Sequence, residues 1–360
     1  MKVLVLGGTG AMGAHLTQLL SNSGIETVVT SRTERDSVNN IRYVKGNAND
    51  IDFLQTILSE RWDAIVDFMV YSTDSFQRRV SLLLENTSQY VFLSSARVYA
   101  ESDQSITENS PRLLDVSQDT EFLSTDEYSL TKARQENILR SSGRNNWTII
   151  RPYITYAENR LQLGVLEKEE WLYRALKGRT IVFSSDINSK ETTLTYGLDV
   201  AHGINSIIGA SSALGETFHI TANESNTWNN ILNIYLEVLE KHLGYKPKIL
   251  FQDLGKFVEC KPAKYQILYD RFFNRKFDNS KINKNASTNS FTKIEVGLKS
   301  CLTDFLKNPR FNDIDWKLEA VKDRQSGEHT SLAEIKGIKQ KIRYLLSRYF
   351  YKVGIKYFTR

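Results

Sequence analysis

Residues 1–13 read MKVLVLGGTGAMG, an apolar run that passes directly into a glycine-rich turn. Residues 3–6 are all apolar, as a strand buried on both faces requires. Gly7, Gly10 and Gly13 follow at intervals of three, and the next residues have the spacing of a helix with one apolar face. Such a strand, turn and helix bring the backbone against a pyrophosphate. The stretch therefore predicts a dinucleotide site, with a glycine turn that binds nothing as the alternative.

The composition is that of a globular protein. The 360 residues are 41% hydrophobic and 25% charged, enough for an α/β core and a second lobe. Cys260 and Cys301 lie far apart and have no histidine at ligand spacing, so neither a disulfide framework nor a metal site is expected. No apolar stretch is long enough to span a bilayer, and the N-terminal run lacks the cleavage region of a signal peptide. We therefore expect a cytoplasmic protein.

Further strand patterns alternate with helical ones through residue 153. The strands are expected at residues 25–30, 41–44, 64–69, 90–95 and 148–153. This alternation predicts an α/β fold with a doubly wound, Rossmann-type parallel sheet over residues 1–153, to which residues 194–222 return. Residues 154–335 are expected to form mainly a smaller, mixed α/β substrate lobe. Ligands of such sheets bind at the carboxyl ends of the strands.

The strand ends supply the candidate cofactor contacts. They are Gly7, Thr9, Gly10, Ala11, Met12, Gly13, Ser31, Arg32, Asn47, Ala48, Phe68, Met69 and Pro152. At the end of the second strand, an acidic residue would hold the adenosine ribose hydroxyls, but Ser31 and Arg32 stand there. A serine and an arginine suit a 2′-phosphate better, so NADP(H) is favoured over NAD(H). An arginine that covers the adenine or faces water is the alternative.

Two further features carry chemistry. Ser94 and Ser95 follow the fifth strand, and Tyr128 and Lys132 lie four positions apart at the start of a predicted helix. Positions i and i+4 share a helical face, and a nearby ammonium favours the phenolate form of a tyrosine. Such a tyrosine can exchange a proton with a sugar or alcohol oxygen that a serine hydroxyl holds. Each feature alone is commonly a solvated face or a turn, so their joint occurrence carries the prediction of a hydride-transfer site.

With these motifs the sequence resembles the extended short-chain dehydrogenase/reductases, in the NAD-dependent epimerase/dehydratase family that acts on nucleotide sugars. The resemblance covers about the first 300 residues. Its motifs are GGTGAMG (7–13), SSARVYA (94–100), YSLTK (128–132), RPYITY (151–156), TYGLDVAHGI (195–204) and FDNSKI (277–282). It implies that Tyr128 is the acid/base, that Lys132 holds the nicotinamide ribose and tunes Tyr128, and that Ser95 holds the reacting oxygen. Ser94 would be a structural strand-end residue.

Departures from the family pattern narrow the expected reaction. Ala96 and Arg97 replace the acids that follow the catalytic serine or threonine in the family's dehydratases and decarboxylating members, and Ala96 is not the cysteine of the combined epimerase/reductases. Oxidation or reduction at a sugar carbon, or 4-epimerisation, remains. Because Arg32 favours NADPH, we expect a 4-keto reductase, with a nucleotide-sugar epimerase holding NAD as the alternative. A non-catalytic dinucleotide-binding protein, for example an RNA-associated relative, is the third hypothesis.

The substrate contacts are less clearly marked. By the resemblance Tyr99 would line the sugar site, and Tyr153 at the end of the sixth strand is a further candidate. Ile154 stands where many relatives have an asparagine that holds the nucleotide sugar. Arg160 or Arg179 could supply charge to a diphosphate, although surface arginines are common. No metal ligands and no nucleic-acid recognition motif are identified.

The tail differs in charge from the rest of the chain. Residues 336–360 contain eight lysines and arginines and no acidic residue. Their apolar residues fall on one helical face; they are Ile338, Ile342, Leu345, Leu346, Tyr349, Phe350 and Val353. We expect this basic amphipathic helix to dock on its own core or on a second subunit of a homodimer. The alternative is peripheral contact with an anionic membrane at the inner face.

Overall fold

The computed structural model describes residues 1–350, so Val353 of the predicted tail lies outside the described residues. The strands are β1 (Lys2–Leu6), β2 (Glu26–Ser31), β3 (Ile41–Lys45), β4 (Trp62–Asp67), β5 (Thr87–Leu93), β6 (Trp147–Pro152), β7 (Thr155–Tyr156), β8 (Ile181–Ser184), β9 (Glu191–Thr192), β10 (Thr195–Tyr196), β11 (Glu216–Ile220), β12 (Asn226–Thr227) and β13 (Ile249–Gln252). The helices are α1 (Gly13–Asn22), α2 (Ile51–Ile57), α3 (Thr73–Gln77), α4 (Val80–Glu85), α5 (Leu113–Val116), α6 (Thr120–Leu123), α7 (Tyr128–Arg140), α8 (Lys168–Leu176), α9 (Ser185–Asn188), α10 (Gly197–Asn205), α11 (Trp228–Leu243), α12 (Leu254–Cys260), α13 (Lys264–Gln266), α14 (Ile294–Lys307), α15 (Trp316–Ser326) and α16 (Ile338–Tyr349).

Seven strands form one parallel sheet in the order β11-β6-β5-β4-β1-β2-β3. Residues 3–6 of β1 have no exposed surface, as expected of a central strand with helices on both faces. One apolar cluster joins the sheet to α1 and α10, and a second joins it to α2 and α4. The doubly wound parallel fold predicted from the sequence is therefore confirmed, and its order reverses between β1 and β4, where such folds bind ligands.

Two predicted strands end earlier than expected, and both differences concern the site. β4 ends at Asp67, so Phe68 and Met69 lie in the segment beyond it. β5 ends at Leu93, so both Ser94 and Ser95 lie outside the ladder. Phe68 and Met69 continue the apolar run of β4 in a half-buried segment, and Ser94 and Ser95 remain buried beyond β5. Apolar patterning marks burial, whereas a strand also requires ladder hydrogen bonds.

The chain divides into two compact units. Unit 1 contains Met1–Ala157, Thr193–Ser225 and Asn274–Gly297. Residues 194–222 lie in unit 1, and residues 274–297, which we expected in the substrate lobe, belong to unit 1 as well. Backbone pairing explains this, because Ile106 N donates to Lys276 O and Asp278 N donates to Ile106 O, each at 2.8 Å.

Unit 2 contains Glu158–Thr192, Asn226–Phe273 and the chain from Leu298 onward. Helices α8 and α11 contact each other through the stacked rings of Trp171 and Tyr235, which lie 4.6 Å apart. Arg174 of α8 is fully buried and binds Glu319 and Asp323 of α15 at 2.5 and 2.8 Å. Along residues 1–350, none of the helices combines the length and hydropathy needed to cross a membrane.

Candidate active site

The glycine turn leaves room for a phosphate group. Gly7 has a φ of 70°, which favours glycine, and a Cβ atom there would lie 2.8 Å from Met69 Sδ. At Gly13 a Cβ atom would lie 2.7 Å from Gly8 Cα, whereas at Gly10 it would meet nothing within 4 Å. In the described structure no side chain caps the N-terminus of α1. Open space beside a helix N-terminus that no described side chain caps fits the pyrophosphate of a dinucleotide.

The end of β2 presents a hydroxyl and a cation. Ser31 is buried and its Oγ accepts a hydrogen bond from Thr33 N at 3.3 Å, whereas Arg32 is exposed. The first acidic residue beyond them, Glu34, lies 3.4 Å from Lys45 Nζ. The carboxylate that would bind ribose hydroxyls is thus absent from this strand end.

The other predicted cofactor contacts lie on the same edge of the sheet. Asn47 is exposed and Ala48 is buried after β3, Phe68 and Met69 are half-buried after β4, and Pro152 closes β6. Since the strands are parallel, their carboxyl ends meet at one edge. The structure therefore brings these positions to the edge that carries the glycine turn.

The paired serines after β5 have separate roles. Ser94 Oγ donates to Glu136 Oε1 at 2.6 Å, which gives Ser94 the structural role expected from the sequence. Ser95 precedes the short helical turn Ala96–Val98, and its Oγ accepts from Arg97 N at 3.2 Å. A hydroxyl that accepts from the backbone keeps its own proton for a second oxygen. Ser95 thus retains a donor that could hold a substrate oxygen.

Helix α7 places Tyr128 and Lys132 on one face. Its N-terminus is capped by Glu127, whose carboxylate accepts from Ser129 N at 2.6 Å, and this fixes Tyr128 at the first helical position. Tyr128 is half-buried and Lys132 is buried. Lys132 Nζ donates to Leu93 O at 2.7 Å and lies 6.0 Å from the centre of the Tyr128 ring. An ammonium at this position stabilises the phenolate form of Tyr128.

Burial sets the charge state of Lys132. It lowers the pKa of Lys132 to about 8, although the carboxylates of Asp67 and Glu136 oppose the shift. Asp67 ends β4 and accepts from Tyr90 Oη at 2.8 Å and from Met69 N at 2.9 Å. Burial raises the pKa of Asp67. Asp67 was not identified from the sequence, although an acidic residue at the end of an apolar strand was the available signal.

A buried ion cluster supports the part of α7 that follows Lys132. Glu136 accepts from Arg151 Nη2 at 2.6 Å and lies 3.1 Å from Arg112 and 3.2 Å from Arg140. Burial alone would raise the pKa of Glu136, but Arg151 outweighs it and the pKa falls to about 2. Glu136 was not identified from the sequence either, although residues 128, 132, 136 and 140 form one i+4 series.

Arg97 adds a second cation beside the tyrosine. Its guanidinium carbon lies 5.3 Å from the centre of the Tyr128 ring, and its Nη2 lies 2.5 Å from Glu127 Oε1. The sequence marked Arg97 only as a departure from the acids found in relatives. In the structure this departure puts a guanidinium, paired with Glu127, beside the Tyr128 ring.

The predicted substrate residues do not form one group. Tyr99 has no exposed surface; its hydroxyl lies 3.3 Å from His219 Nδ1 and its ring 4.7 Å from the Arg151 guanidinium. We therefore assign Tyr99 a packing role instead of the expected contact with the sugar. Tyr153 is only 2% exposed and packs 5.3 Å from Phe277. This ring is enclosed as well.

Three further positions named for the substrate site, Ile154, Arg160 and Arg179, lie in different surroundings. Ile154 has a φ of 28°, a conformation that asparagine adopts more readily than a β-branched residue. Arg160 is exposed in unit 2, ahead of α8. Arg179 is buried and lies 3.3 Å from Glu334, so it is committed to a structural ion pair.

Comparisons with known proteins agree with this geometry. A model of the NAD dependent epimerase/dehydratase family matches residues 3–220, more than half of the chain. The chain is 26% identical over 297 residues to the chloroplast stem-loop binding protein of 41 kDa b of Arabidopsis thaliana, with 73% of each chain covered.

Solved structures share the fold at low identity. WbmH of Bordetella bronchiseptica, in complex with NAD+, has a TM-score of 0.65 at 15% identity and covers 86% of this chain and 99% of its own. UDP-glucuronic acid 4-epimerase from Bacillus cereus, in complex with NAD, has a TM-score of 0.62 at 19% identity and covers 85% and 99%. MoeE5, in complex with UDP-glucuronic acid and NAD, has a TM-score of 0.66 at 17% identity and covers 85% and 99%.

Proposed function

Because the chain belongs to the NAD-dependent epimerase/dehydratase family, we propose that it is an NAD(P)-dependent oxidoreductase acting on a nucleotide-activated sugar. The observation that carries the proposal is the shared face of Tyr128 and Lys132 beside the end of β5, with the Lys132 ammonium 6.0 Å from the Tyr128 ring. A structural tyrosine would not require a buried cation at this distance. The neighbours that hold UDP-glucuronic acid support a nucleotide sugar as the substrate class.

Different residues of the chain would bind the different parts of the dinucleotide. The glycine turn and the N-terminus of α1 would hold the pyrophosphate, Ser31 and Arg32 the adenosine end, and Lys132 the nicotinamide ribose. When bound, the nicotinamide supplies or accepts a hydride. Lys132 has donors left for a ribose hydroxyl, since its bond to Leu93 O uses one of three.

The catalytic residues then act on the proton. In reduction, Tyr128 donates its phenolic proton to the substrate oxygen as that oxygen gains negative charge, and in oxidation it takes the proton back. The ammonium of Lys132 and the guanidinium of Arg97 stabilise the resulting phenolate. Ser95 holds the same oxygen through its hydroxyl proton and so orients the reacting carbon.

Reduction of a 4-keto group with NADPH is the reaction we favour. Arg32 and Ser31 at the end of β2 support NADPH, and Ala96 and Arg97 lack the acid that elimination would need. The alternative is a 4-epimerase with bound NAD, which the NAD-containing epimerase neighbours support. Two assays separate the two reactions: nucleotide 4-keto sugars with NADPH, followed at 340 nm, and nucleotide sugars with a free 4-hydroxyl and no added dinucleotide, followed by product analysis. Repeated, stoichiometric loss of NADPH with a 4-keto sugar supports the reductase, whereas inversion at the 4-carbon of a hydroxyl sugar without net absorbance change contradicts it and supports the epimerase.

Arg32 provides a test of cofactor preference. Charge-assisted hydrogen bonds contribute about 1.5–3 kcal/mol, so Arg32→Ala should raise the Kd for NADPH about 10- to 100-fold and leave that for NADH nearly unchanged. Isothermal titration measures both constants. Arg35→Ala is the matched control, because Arg35 is exposed in the same segment and lies over the Tyr43 ring. An equal loss of affinity for NADPH and NADH, or an equal effect of Arg35→Ala, would contradict the assignment of Arg32 to the 2′-phosphate.

The lowered pKa of Lys132 predicts how the reaction depends on pH. Its pKa is lowered to about 8, so it is protonated below that pH and loses its charge above it. Since kcat/KM reports the free enzyme, kcat/KM for the dinucleotide should fall as the pH rises through about 8. Lys132→Arg keeps its charge at every working pH and should move the fall to higher values. A wild-type profile that stays flat through this range would contradict the prediction.

A second candidate function is RNA binding, which the stem-loop binding relative favours. Both Tyr128 and Lys132 are present, and a protein that only binds RNA has no need of a buried lysine beside a tyrosine. A mobility-shift assay with stem-loop RNA tests this function. Tight binding that Tyr128→Phe leaves intact, together with no activity on any nucleotide sugar, would favour it over the oxidoreductase.

A further inference from the structure

Helix α16 is anchored to its own unit on one side. Tyr344 is 2% exposed; its hydroxyl donates to Asp323 Oδ2 and accepts from Thr330 N, both at 2.7 Å. Arg348 Nε and Nη2 donate to Glu328 O at 3.1 and 3.0 Å. These contacts hold α16 against α15 and the segment that follows it, as the docking prediction expected. They also fix which face of the helix remains exposed.

The exposed face carries large apolar side chains. Ile338, Ile342 and Tyr349 are 74%, 51% and 61% exposed, and their spacing of four and seven residues puts them on one line along the helix. Phe350, directly after the helix, is 57% exposed. We call Ile338, Ile342 and Tyr349 the exposed stripe. A buried Tyr344 and an exposed stripe on one helix mean that docking in unit 2 uses only part of its apolar surface.

Basic side chains flank the exposed stripe. At 3.6 residues per turn, Lys341 lies on one side of it, and Lys339 and Arg343, both exposed, lie on the other. Among the described residues, the carboxylate of Asp323 binds α16. It accepts a hydrogen bond from the hydroxyl of Tyr344, on the packed face of the helix. The stripe therefore has cations on both sides and no acidic residue within its own helix.

This arrangement selects among possible partners. A protein groove would have to desolvate lysines on both sides of a narrow apolar line, which is costly. A nucleic acid would bind the lysines but leave isoleucine and phenylalanine in water. A lipid surface satisfies both sets at once, because the apolar side chains enter the acyl boundary while the basic ones meet lipid phosphates.

We propose that α16 is a peripheral membrane-binding helix that lies flat on an anionic lipid surface, with the exposed stripe inserted and Lys339, Lys341 and Arg343 at the phosphates. The face of Tyr344 stays on unit 2, so the helix joins the protein to the membrane without unfolding. The proposal does not depend on the reaction at Tyr128. Each basic residue near an anionic surface contributes about fivefold in partitioning.

Co-sedimentation of the full chain with vesicles tests the proposal. Binding is compared on phosphatidylcholine vesicles and on vesicles in which about a third of the lipid is phosphatidylglycerol, at about 0.1 M and about 1 M salt. We expect sedimentation with the anionic vesicles at low salt and a marked loss at high salt. Substitutions are preferable to removal of residues 336–360, because truncation would also remove the buried Tyr344.

Two variants separate the contribution of the basic side chains to membrane binding from that of the exposed stripe. Lys339→Glu with Arg343→Glu should weaken partitioning more than tenfold, and Ile338→Ser with Ile342→Ser and Tyr349→Ser should do the same. The matched controls are Lys246→Glu with Lys248→Glu, both exposed, and Val38→Ser with Val296→Ser, which are 54% and 61% exposed. They should bind as the wild type does. Unchanged thermal melting of every variant shows that the fold is retained.

Three results would overturn the proposal. The first is sedimentation that is equal for wild type and both α16 variants. The second is a concentration-dependent dimer, without vesicle binding, that the stripe variant dissociates, because the stripe would then face a second copy. The third is stem-loop RNA binding, without vesicle binding, that the charge variant abolishes.

Discussion

Tyr128→Phe is expected to lower kcat by about 10²- to 10⁴-fold, the usual contribution of a positioned proton donor. The change removes one hydroxyl and keeps the ring, so the packing of Arg97 over residue 128 at 5.3 Å is retained. Binding of the dinucleotide should therefore stay within a few-fold of wild type, and the loss should appear in kcat more than in KM. Steady-state kinetics with the active nucleotide sugar, together with titration of NADPH, measure both.

Tyr245→Phe is the matched control, because Tyr245 is a half-exposed tyrosine in unit 2 to which no role is assigned. It should have wild-type kinetics. Retention of most of the activity in Tyr128→Phe would remove Tyr128 from its role as acid/base. Loss of dinucleotide binding in that variant would instead show that the hydroxyl is needed for the structure of the pocket.

Glu136→Ala should cause the largest loss of stability. Glu136 is fully buried, and its removal leaves Arg151, which is 2% exposed, without its carboxylate. Removing one partner of a buried pair typically costs about 3–5 kcal/mol, because the remaining charge is uncompensated. Denaturant unfolding followed by circular dichroism measures the change. Glu237→Ala, which removes an exposed carboxylate paired with Lys241, should leave the midpoint close to wild type.

The pH dependence of stability gives the same cluster an independent test. The pKa of Glu136 falls from 4.5 to about 2 on folding. Its contribution is therefore complete above pH 4.5 and is lost as the pH falls toward 2. The stability of the wild type should drop in this window more steeply than that of Glu136→Ala. An unfolding midpoint that Glu136→Ala leaves unchanged would show that the cluster does not support α7.

Local patterns in the sequence were sufficient for the fold and for the placement of Tyr128 and Lys132 on one face of α7, whereas their catalytic roles stay predictions. The apolar run before Gly7 and the i+4 spacing of Tyr128 and Lys132 are short-range signals, and both act through neighbouring residues on one element. Ser94 and Ser95 could be assigned different roles before the structure because family motifs distinguish them.

The remaining features depend on contacts between distant segments. Tyr99 is enclosed by Arg151 and His219, 52 and 120 positions further along the chain, and nothing near Tyr99 indicates this. The carboxylate of Asp67, 65 positions away along the chain, likewise acts on the pKa of Lys132, because both groups are buried near neighbouring strand ends. The place of residues 274–297 in unit 1 rests on pairing with Ile106. Sequence patterns identify which faces are buried, but not which distant residue covers them.

Transfer of deuterium from the dinucleotide to the sugar tests directly whether Tyr128 belongs to a hydride-transfer site. The purified protein is loaded with reduced nicotinamide dinucleotide labelled at the transferable position and is mixed once with a nucleotide 4-keto sugar. We expect the sugar reduced by wild type to be one mass unit heavier, by mass spectrometry, than the same product made with unlabelled dinucleotide, and we expect Tyr128→Phe to form almost no labelled sugar, whether the natural reaction is reduction or epimerisation. A product without label from wild type, or equal labelling by Tyr128→Phe, would contradict a hydride-transfer site built on Tyr128.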